Sequence, residues 1–217
     1  MKPFIILLII LSTFVIGIII TLTPDYKSDT LVLIPTLTAN AYSEGGFYDY
    51  FEGRCGVECL TISLDENPNH NYSSSSNGII LLLDKGYDYI SDSSNDVISQ
   101  LNNYDTIIIL HNEYVTRELF DGITNHPNVF YLYPNALYGE VIIETDPIRI
   151  TLLSGHGVNG KDNAFDWEFD NTRPDEFDNE CLTAQWFKVD NGYQLNCYPE
   201  NAIMQMDWII QFIEDNK

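Results

Sequence analysis

The sequence predicts an α/β fold in which helices cover both faces of a doubly wound, mainly parallel sheet, followed by β-hairpins in the last third of the chain. Up to about residue 133, short aliphatic runs alternate with segments of helical periodicity, which is the pattern of such a sheet. The run 106–110 is almost entirely aliphatic, as in a strand that is buried on both faces. After Tyr138 the runs come in pairs joined by turn residues, which indicates hairpins.

Each element of the alternating part has its own local signal. The aliphatic or β-branched runs predict strands at residues 31–37, 60–64, 87–90, 106–110 and 129–133. Helical spacing of apolar side chains predicts helices at residues 77–85, 96–103 and 116–125. Capping residues support this, since Gly86 follows the first of these helices and Thr116 can cap the start of the third. His126-Pro127 ends the last of these helices, since the residue before a proline disfavours helical geometry.

The last third of the chain predicts two hairpins and a helix. Residues 141–144 and 148–153 flank a Thr-Asp-Pro turn, and residues 185–189 and 193–197 flank Asp-Asn-Gly, with Gly192 suited to the turn. Residues 200–214 carry apolar side chains at helical spacing. No second domain is expected, because 217 residues suit one core of ordinary size.

The N-terminal segment predicts a membrane anchor. Residues 3–22 contain no charged side chain, and twenty helical residues at about 1.5 Å each reach roughly across a 30 Å hydrocarbon core. The segment is longer than the apolar part of a cleaved export signal. We therefore expect residues 1–23 to be a single-pass transmembrane signal anchor and residues 24–30 a stalk. Residues 31–217 are then a single extracytoplasmic domain.

The charge balance excludes some partners. Thirty-two acidic residues against ten Lys and Arg give a net charge of −22, which argues against nucleic acid or an anionic lipid surface because both have the same sign. Such a charge suits cations or simply solubility. The composition does not decide between a small-molecule and a protein partner.

Four cysteines in a chain that is expected to be exported favour disulfides. Of the three possible connectivities we expect Cys55 with Cys59 and Cys181 with Cys197. A four-thiolate zinc site and free thiols are the alternatives, although the second pair is spaced more widely than zinc ligands usually are.

A candidate site follows the strand at 106–110. His111 and Glu113 come directly after it, and ligands of α/β sheets bind at this carboxyl edge. An imidazole can shuttle a proton and a neighbouring carboxylate can orient it. His156, in the glycine-rich turn 154–160, is the third candidate catalytic residue if that turn reaches the strand ends. The candidate ligand-binding residues are Asn112, Tyr114, Asn135 and Tyr138. In the alternative interpretation these polar groups only satisfy loop amides and cap a helix.

An acidic segment gives a weaker prediction. Asp166, Glu168 and Asp170 alternate with aromatic residues, and carboxylates are the ligands that calcium prefers. The spacing fails the EF-hand pattern, so a solvated acidic face is the alternative. No other cofactor is expected.

Three stretches support a resemblance to known families. The order of elements around Tyr104-Asp-Thr-Ile-Ile-Ile-Leu-His-Asn-Glu-Tyr114 and His126-Pro-Asn-Val-Phe-Tyr-Leu-Tyr-Pro-Asn-Ala-Leu-Tyr138 resembles the flavodoxin-like class I glutamine amidotransferase fold. It is most similar to the ThuA-like proteins and the C-terminal domain of the N,N-dimethylformamidase large subunit. The segment Gly45-Gly-Phe-Tyr-Asp-Tyr-Phe51 also resembles sequences in a group of membrane-anchored archaeal proteins of unknown activity.

One departure from these families bears on function. The resemblance implies a nucleophilic cysteine on a sharp turn after a strand, and here no such turn carries one. We therefore expect a ligand- or partner-binding domain without amidotransferase chemistry. The alternative is a hydrolase for C–N or glycan-related substrates that uses His111 and Glu113, with or without a metal.

Overall fold

The computed structural model describes residues 28–167 and 178–217, and it has a six-stranded sheet at its centre. Its strands are β1 Thr30–Ile34, β3 Asp88–Ser91, β4 Thr106–Ile109, β6 Val129–Tyr131, β9 Trp186–Val189 and β10 Gly192–Leu195. The strand order is β3-β1-β4-β6-β10-β9, and all neighbours are parallel except the antiparallel pair β10 and β9. The predicted α/β class with a mainly parallel sheet is confirmed.

Helices cover both faces of this sheet because the side chains of its strands alternate between two apolar cores. The helices of the described residues are α1 Thr36–Ala41, α2 Phe47–Phe51, α3 Ser76–Asp84, α4 Val97–Leu101, α5 Arg117–Thr124 and α6 Asp207–Asn216. On β1, Val32 faces one core, where α3 and α6 pack, and Leu33 faces the other, where α4 and α5 pack. Thr116 caps α5, as predicted, by accepting a hydrogen bond from the backbone NH of Leu119.

A second, four-stranded sheet lies beside the first. Its order is β2-β8-β7-β5, with β5 parallel to β7 and the other pairs antiparallel. Its strands are β2 Thr61–Ser63, β5 Tyr114–Val115, β7 Gly139–Thr145 and β8 Ile148–Ser154. Leu37 and Phe47 pack on this sheet, together with its own residue Tyr114, in a third apolar cluster.

Both predicted hairpins are present, since β7 pairs with β8 and β9 pairs with β10. The two predicted disulfides, Cys55–Cys59 and Cys181–Cys197, are confirmed and use all four cysteines. Cys181 and Cys197 are both buried in the main core, next to α6.

Some predicted boundaries were wrong. The strand predicted at 31–37 ends at Ile34, because Pro35 has no NH for the sheet and α1 begins at Thr36. The strand predicted at 60–64 belongs to the second sheet and not to the parallel one. Residues 200–214 form two short 3₁₀ turns before α6 starts at Asp207.

The predicted anchor, residues 1–23, lies outside the described residues, as do residues 24–27 of the predicted stalk. Thr30, the last stalk residue, is already the first residue of β1. Within the two described ranges, no helix has the length and apolar character needed to cross a membrane.

Candidate functional site

The candidate site lies where the winding of the parallel sheet changes direction. β1 is flanked by β3 on one side and by β4 on the other, so the chain leaves the carboxyl ends of β1 and β4 in opposite directions. Such a switch point opens a crevice in which α/β proteins bind ligands. Residues 111–113 follow β4 directly and α1 follows β1. The sequence-predicted triplet of His111, Asn112 and Glu113 therefore stands at the switch point.

Asn112 connects the segments at the switch point by hydrogen bonds. Its side-chain amide donates to Asp92 Oδ2 at 2.9 Å, and its Oδ1 accepts from the backbone NH of Leu110 at 3.0 Å. Asp92 Oδ1 also accepts from the NH of Leu37 at 3.0 Å. Asn112 is fully buried, so it joins the segments after β1, β3 and β4. Burial raises the pKa of Asp92 to about 7.

Glu113 is the centre of a buried polar cluster. Its Oε1 accepts hydrogen bonds from Tyr48 Oη at 2.9 Å and from His156 Nε2 at 2.6 Å. Its Oε2 has no hydrogen-bond partner among the described residues, although the side chain is 1% exposed. His111 Nε2 lies 3.8 Å from Oε2, and this imidazole is charged only when it is protonated. A carboxylate with one unpaired, buried oxygen is costly, so it is a strong candidate for function.

The charge of Glu113 is maintained by its neighbours. Burial would raise the pKa of its carboxyl, but the hydrogen bond from His156 and the charges of His111 and His156 outweigh burial, and the pKa is lowered. Glu113 is therefore ionised at neutral pH. Its negative charge is compensated inside the cluster only by the two imidazoles when they are protonated.

His111 is held from both sides. Its Nδ1 lies 2.6 Å from the carbonyl oxygen of Ser73, which can only accept, so this nitrogen carries a proton. Its backbone NH donates to Ser75 Oγ at 2.9 Å. The other ring nitrogen, Nε2, is left to face Glu113, and protonation of the ring creates an ion pair there.

His156 reaches the cluster from the turn after β8. Its Nε2 is hydrogen-bonded to Glu113, and its side chain is 22% exposed, compared with 5% for His111 and 1% for Glu113. Four aromatic rings surround it, with centroids 4.5 to 6.0 Å from the imidazole. They are Tyr48, Phe51, Tyr114 and Tyr138, which we call the aromatic cage. The turn predicted at 154–160 thus does bring His156 onto the strand ends.

Sequence reasoning missed the aromatic residues on α2. Residues 47–51 form α2, which places the rings of Tyr48 and Phe51 beside His156. Tyr42 stacks on Tyr48 at 3.8 Å and donates to its Oη at 2.5 Å. Burial, followed by the charge of Glu113, raises the pKa of Tyr48, so Tyr48 stays a neutral donor. The high density of aromatic residues in 42–51 is the sequence signal that could have indicated their part in the site.

The other predicted residues are placed differently. Asn135, in left-handed backbone at φ 58°, is half-buried in the loop before β7. Asp166 is exposed and forms an ion pair with Lys161. Glu168 and Asp170 lie outside the described residues. Within the parts of the chain that the structure describes, no three His, Cys, Asp or Glu residues are arranged to hold a metal.

An open cavity of about 670 Å³ lies beside Asp92. It is formed by the loop after β3, the start of α5 and β7, and hydroxyl groups such as those of Ser93 and Thr116 line it. Arg117 in its wall is paired with Glu140 at 2.9 Å. His111, Glu113 and His156 do not line this cavity, so the cluster reaches solvent through His156 and not through the cavity.

Removing the charge of Glu113 should lower stability by an amount that depends on pH. Because charge-assisted hydrogen bonds contribute about 1.5–3 kcal/mol, we expect Glu113→Gln to lower the free energy of unfolding by roughly 2 kcal/mol at neutral pH. A lowered pKa means that this stabilisation is complete above the ordinary value of 4.5 and is lost as the pH falls below it. Denaturant titrations across this range measure the effect. Asp166→Asn, which alters an exposed carboxylate, is the control, and a Glu113→Gln deficit that persists in acid would contradict the assignment.

No protein-family model matches this chain, and no curated protein is significantly similar to it.

Proposed function

We propose that this chain is a membrane-anchored, extracytoplasmic binding domain. Its buried polar cluster at the switch point, formed by Tyr48, His111, Glu113 and His156, binds a ligand through Glu113. The observation that carries the proposal is the second carboxylate oxygen of Glu113, which is buried without a hydrogen-bond partner among the described residues. A buried carboxylate oxygen without a partner needs an explanation, and a bound ligand or ion would supply one. The neighbouring His156 is partly exposed and offers the route of access.

The scaffold that we propose is similar to the class I glutamine amidotransferases. The parallel sheet, the switch point between β1 and β4 and the polar residues after β4 support this. The chemistry of that family is not part of the proposal, because all four cysteines are in disulfides and none is available as a thiolate nucleophile.

The proposed location outside the cytoplasm has two supports. Residues 3–22 are long enough and apolar enough to anchor the chain. The disulfides fit an oxidising compartment, since thiols are kept reduced in most cytosols. The net charge of −22 disfavours nucleic acid as the partner.

The binding function is tested by comparing the ligands that the wild type binds with those that a Glu113 variant binds. The full-length chain in detergent micelles, with Glu113→Gln and Asp166→Asn as variants, is titrated with cationic, neutral and anionic small molecules by calorimetry, at a temperature where all three proteins are folded. We expect a ligand class that binds the wild type and Asp166→Asn alike and binds Glu113→Gln at least tenfold more weakly. Ligands that bind all three proteins equally would refute a site at Glu113.

A hydrolase is the second candidate, and the 2.6 Å bond between His156 and Glu113 favours it. A carboxylate that orients an imidazole can make it a general base for water. No Ser, Thr or Cys side chain of the described residues is hydrogen-bonded to either imidazole of the cluster, so water would be the nucleophile.

The hydrolase is tested with amide and glycoside substrates, on wild type and His156→Ala, together with metal analysis of the purified protein. Turnover that His156→Ala reduces a hundredfold or more would favour the enzyme. Turnover that is absent, or equal in both proteins, would leave the binding function.

A further inference from the structure

The aromatic cage and Glu113 together have the composition of a cation-binding site. Aromatic ring faces attract a cation through their quadrupoles when its distance from the centroid is about 6 Å or less. The four cage rings lie at 4.5, 5.0, 5.7 and 6.0 Å from the His156 imidazole. Glu113 adds a full negative charge at the base of the cage, where its side chain is almost completely buried. Such an enclosure favours a positive occupant over a neutral one.

The present occupant of the cage is a side chain of the protein itself. His156 lies among the four rings and bonds to Oε1 of Glu113. His156 satisfies only one of the two carboxylate oxygens of Glu113, because Oε2 has no hydrogen-bond partner among the described residues. A planar imidazole can donate one hydrogen bond from Nε2, whereas a primary ammonium group has three N–H donors. An ammonium group in this place could bond to both oxygens of Glu113.

The segment that carries His156 makes its backbone hydrogen bonds within itself. We call residues 155–160 the plug loop. The backbone NH groups of residues 156–158, 160 and 161 donate only to carbonyls within residues 155–162. Residues 155, 156, 157, 159 and 160 all have positive φ. His156 and Asn159 are among them, and this backbone conformation is unfavourable for a residue with a side chain.

We propose that the cage formed by Tyr48, Phe51, Tyr114 and Tyr138 above Glu113 is a binding site for a primary alkylammonium group, and that His156 on the plug loop occupies it when no ligand is bound. This rests on the proposed function and names its ligand class. The ammonium group enters as the plug loop lifts, places its N–H donors on the two oxygens of Glu113 and its alkyl chain along the rings. The acidic surface, with a net charge of −22, raises the local concentration of such cations.

An internal occupant predicts a specific pattern of affinities. A ligand that competes with His156 binds in proportion to the open fraction of the cage, so removing the competitor strengthens binding. Butylammonium chloride is the probe, n-butanol is its neutral counterpart of equal length, and calorimetry at constant ionic strength is the measurement. The proteins are the full-length wild type, His156→Ala and His156→Ala with Glu113→Gln.

We expect His156→Ala to bind butylammonium at least tenfold more tightly than the wild type. The added Glu113→Gln change should weaken that binding at least tenfold, and n-butanol should bind neither protein measurably. Equal affinity of wild type and His156→Ala for butylammonium would overturn the proposal. Equal binding of n-butanol and butylammonium by His156→Ala would also overturn it, because the variant would then offer only an apolar hole.

A second variant covers the case in which His156→Ala does not fold. Phe51→Leu keeps Glu113 and His156 and removes one ring from the cage, so butylammonium should bind it several-fold more weakly than the wild type. Unchanged affinity in Phe51→Leu would count against the cage. If neutral or anionic ligands of the earlier screen depend on Glu113 while butylammonium does not, the ammonium site is wrong and the binding function stands. If no ligand depends on Glu113, both fail.

Discussion

Gly192→Ala should prevent the C-terminal hairpin from joining the parallel sheet. A Cβ at this position would lie 1.8 Å from the carbonyl oxygen of Val129 and 2.7 Å from its backbone N and C atoms. These are backbone atoms of β6, which pairs with β10 through this same residue, so the neighbour cannot move without breaking the strand pairing. We expect a loss of more than about 4 kcal/mol in the free energy of unfolding, which is exceptional for one methyl group, measured by thermal or denaturant unfolding.

Gly86→Ala is the matched control for this prediction. Gly86 has φ 82°, and no heavy atom lies within 4 Å of the position that an added Cβ would take. Its replacement therefore costs only the strain of left-handed backbone, about 1–2 kcal/mol. Similar losses in the two variants would show that the close approach to Val129 is unimportant.

Asp92 should make the protein less stable as the pH rises through the weakly acidic range. Burial raises its pKa from 3.8 to about 7, so the folded protein holds this proton more tightly than the unfolded chain. The contribution of Asp92 to stability is then highest below pH 3.8, falls as the pH rises, and levels off above about pH 7. The difference of about three units corresponds to roughly 4 kcal/mol.

Asp92→Asn tests this slope. The free energy of unfolding of the wild type minus that of the variant should fall by roughly 4 kcal/mol between about pH 4 and pH 7, as measured by denaturant titration. A difference that does not change with pH would mean that Asp92 stays ionised beside Asn112. The direction is opposite to that of Glu113, whose contribution disappears in acid, so the two carboxyls can be distinguished in one series of measurements.

The sequence could predict the placement of residues 111–113 because that placement depends on local signals. A continuous aliphatic run marks β4 as a buried parallel strand, and the residues after it must then lie at the carboxyl edge of the sheet. The hairpins are local for the same reason, since each is defined by a short turn between two runs. The disulfide Cys181–Cys197 follows from the second hairpin, which brings its two cysteines near each other.

The remainder of the site depends on contacts between distant parts of the chain, which periodicity does not encode. Tyr48 and His156 meet at Glu113 although both are far from it in sequence. Nothing local indicates that α2 covers the strand ends, because its five residues are too few to show a helical face. The pairing of β10 with β6 also joins distant parts of the chain. Its one trace in the sequence is the glycine at position 192, where the two strands approach closely.

The order of strands in the central sheet has a consequence for how the chain folds. β6 gains its second neighbour only from β10, and Val129 pairs with Gly192. A chain that emerges with its N-terminus first therefore exposes the unpaired edge of β6 while the following hairpin and loops are still being made. Parallel sheets form slowly. An exposed strand edge can meanwhile pair with other chains. Folding before β10 emerges would thus be unproductive, and the native sheet is completed as a late event.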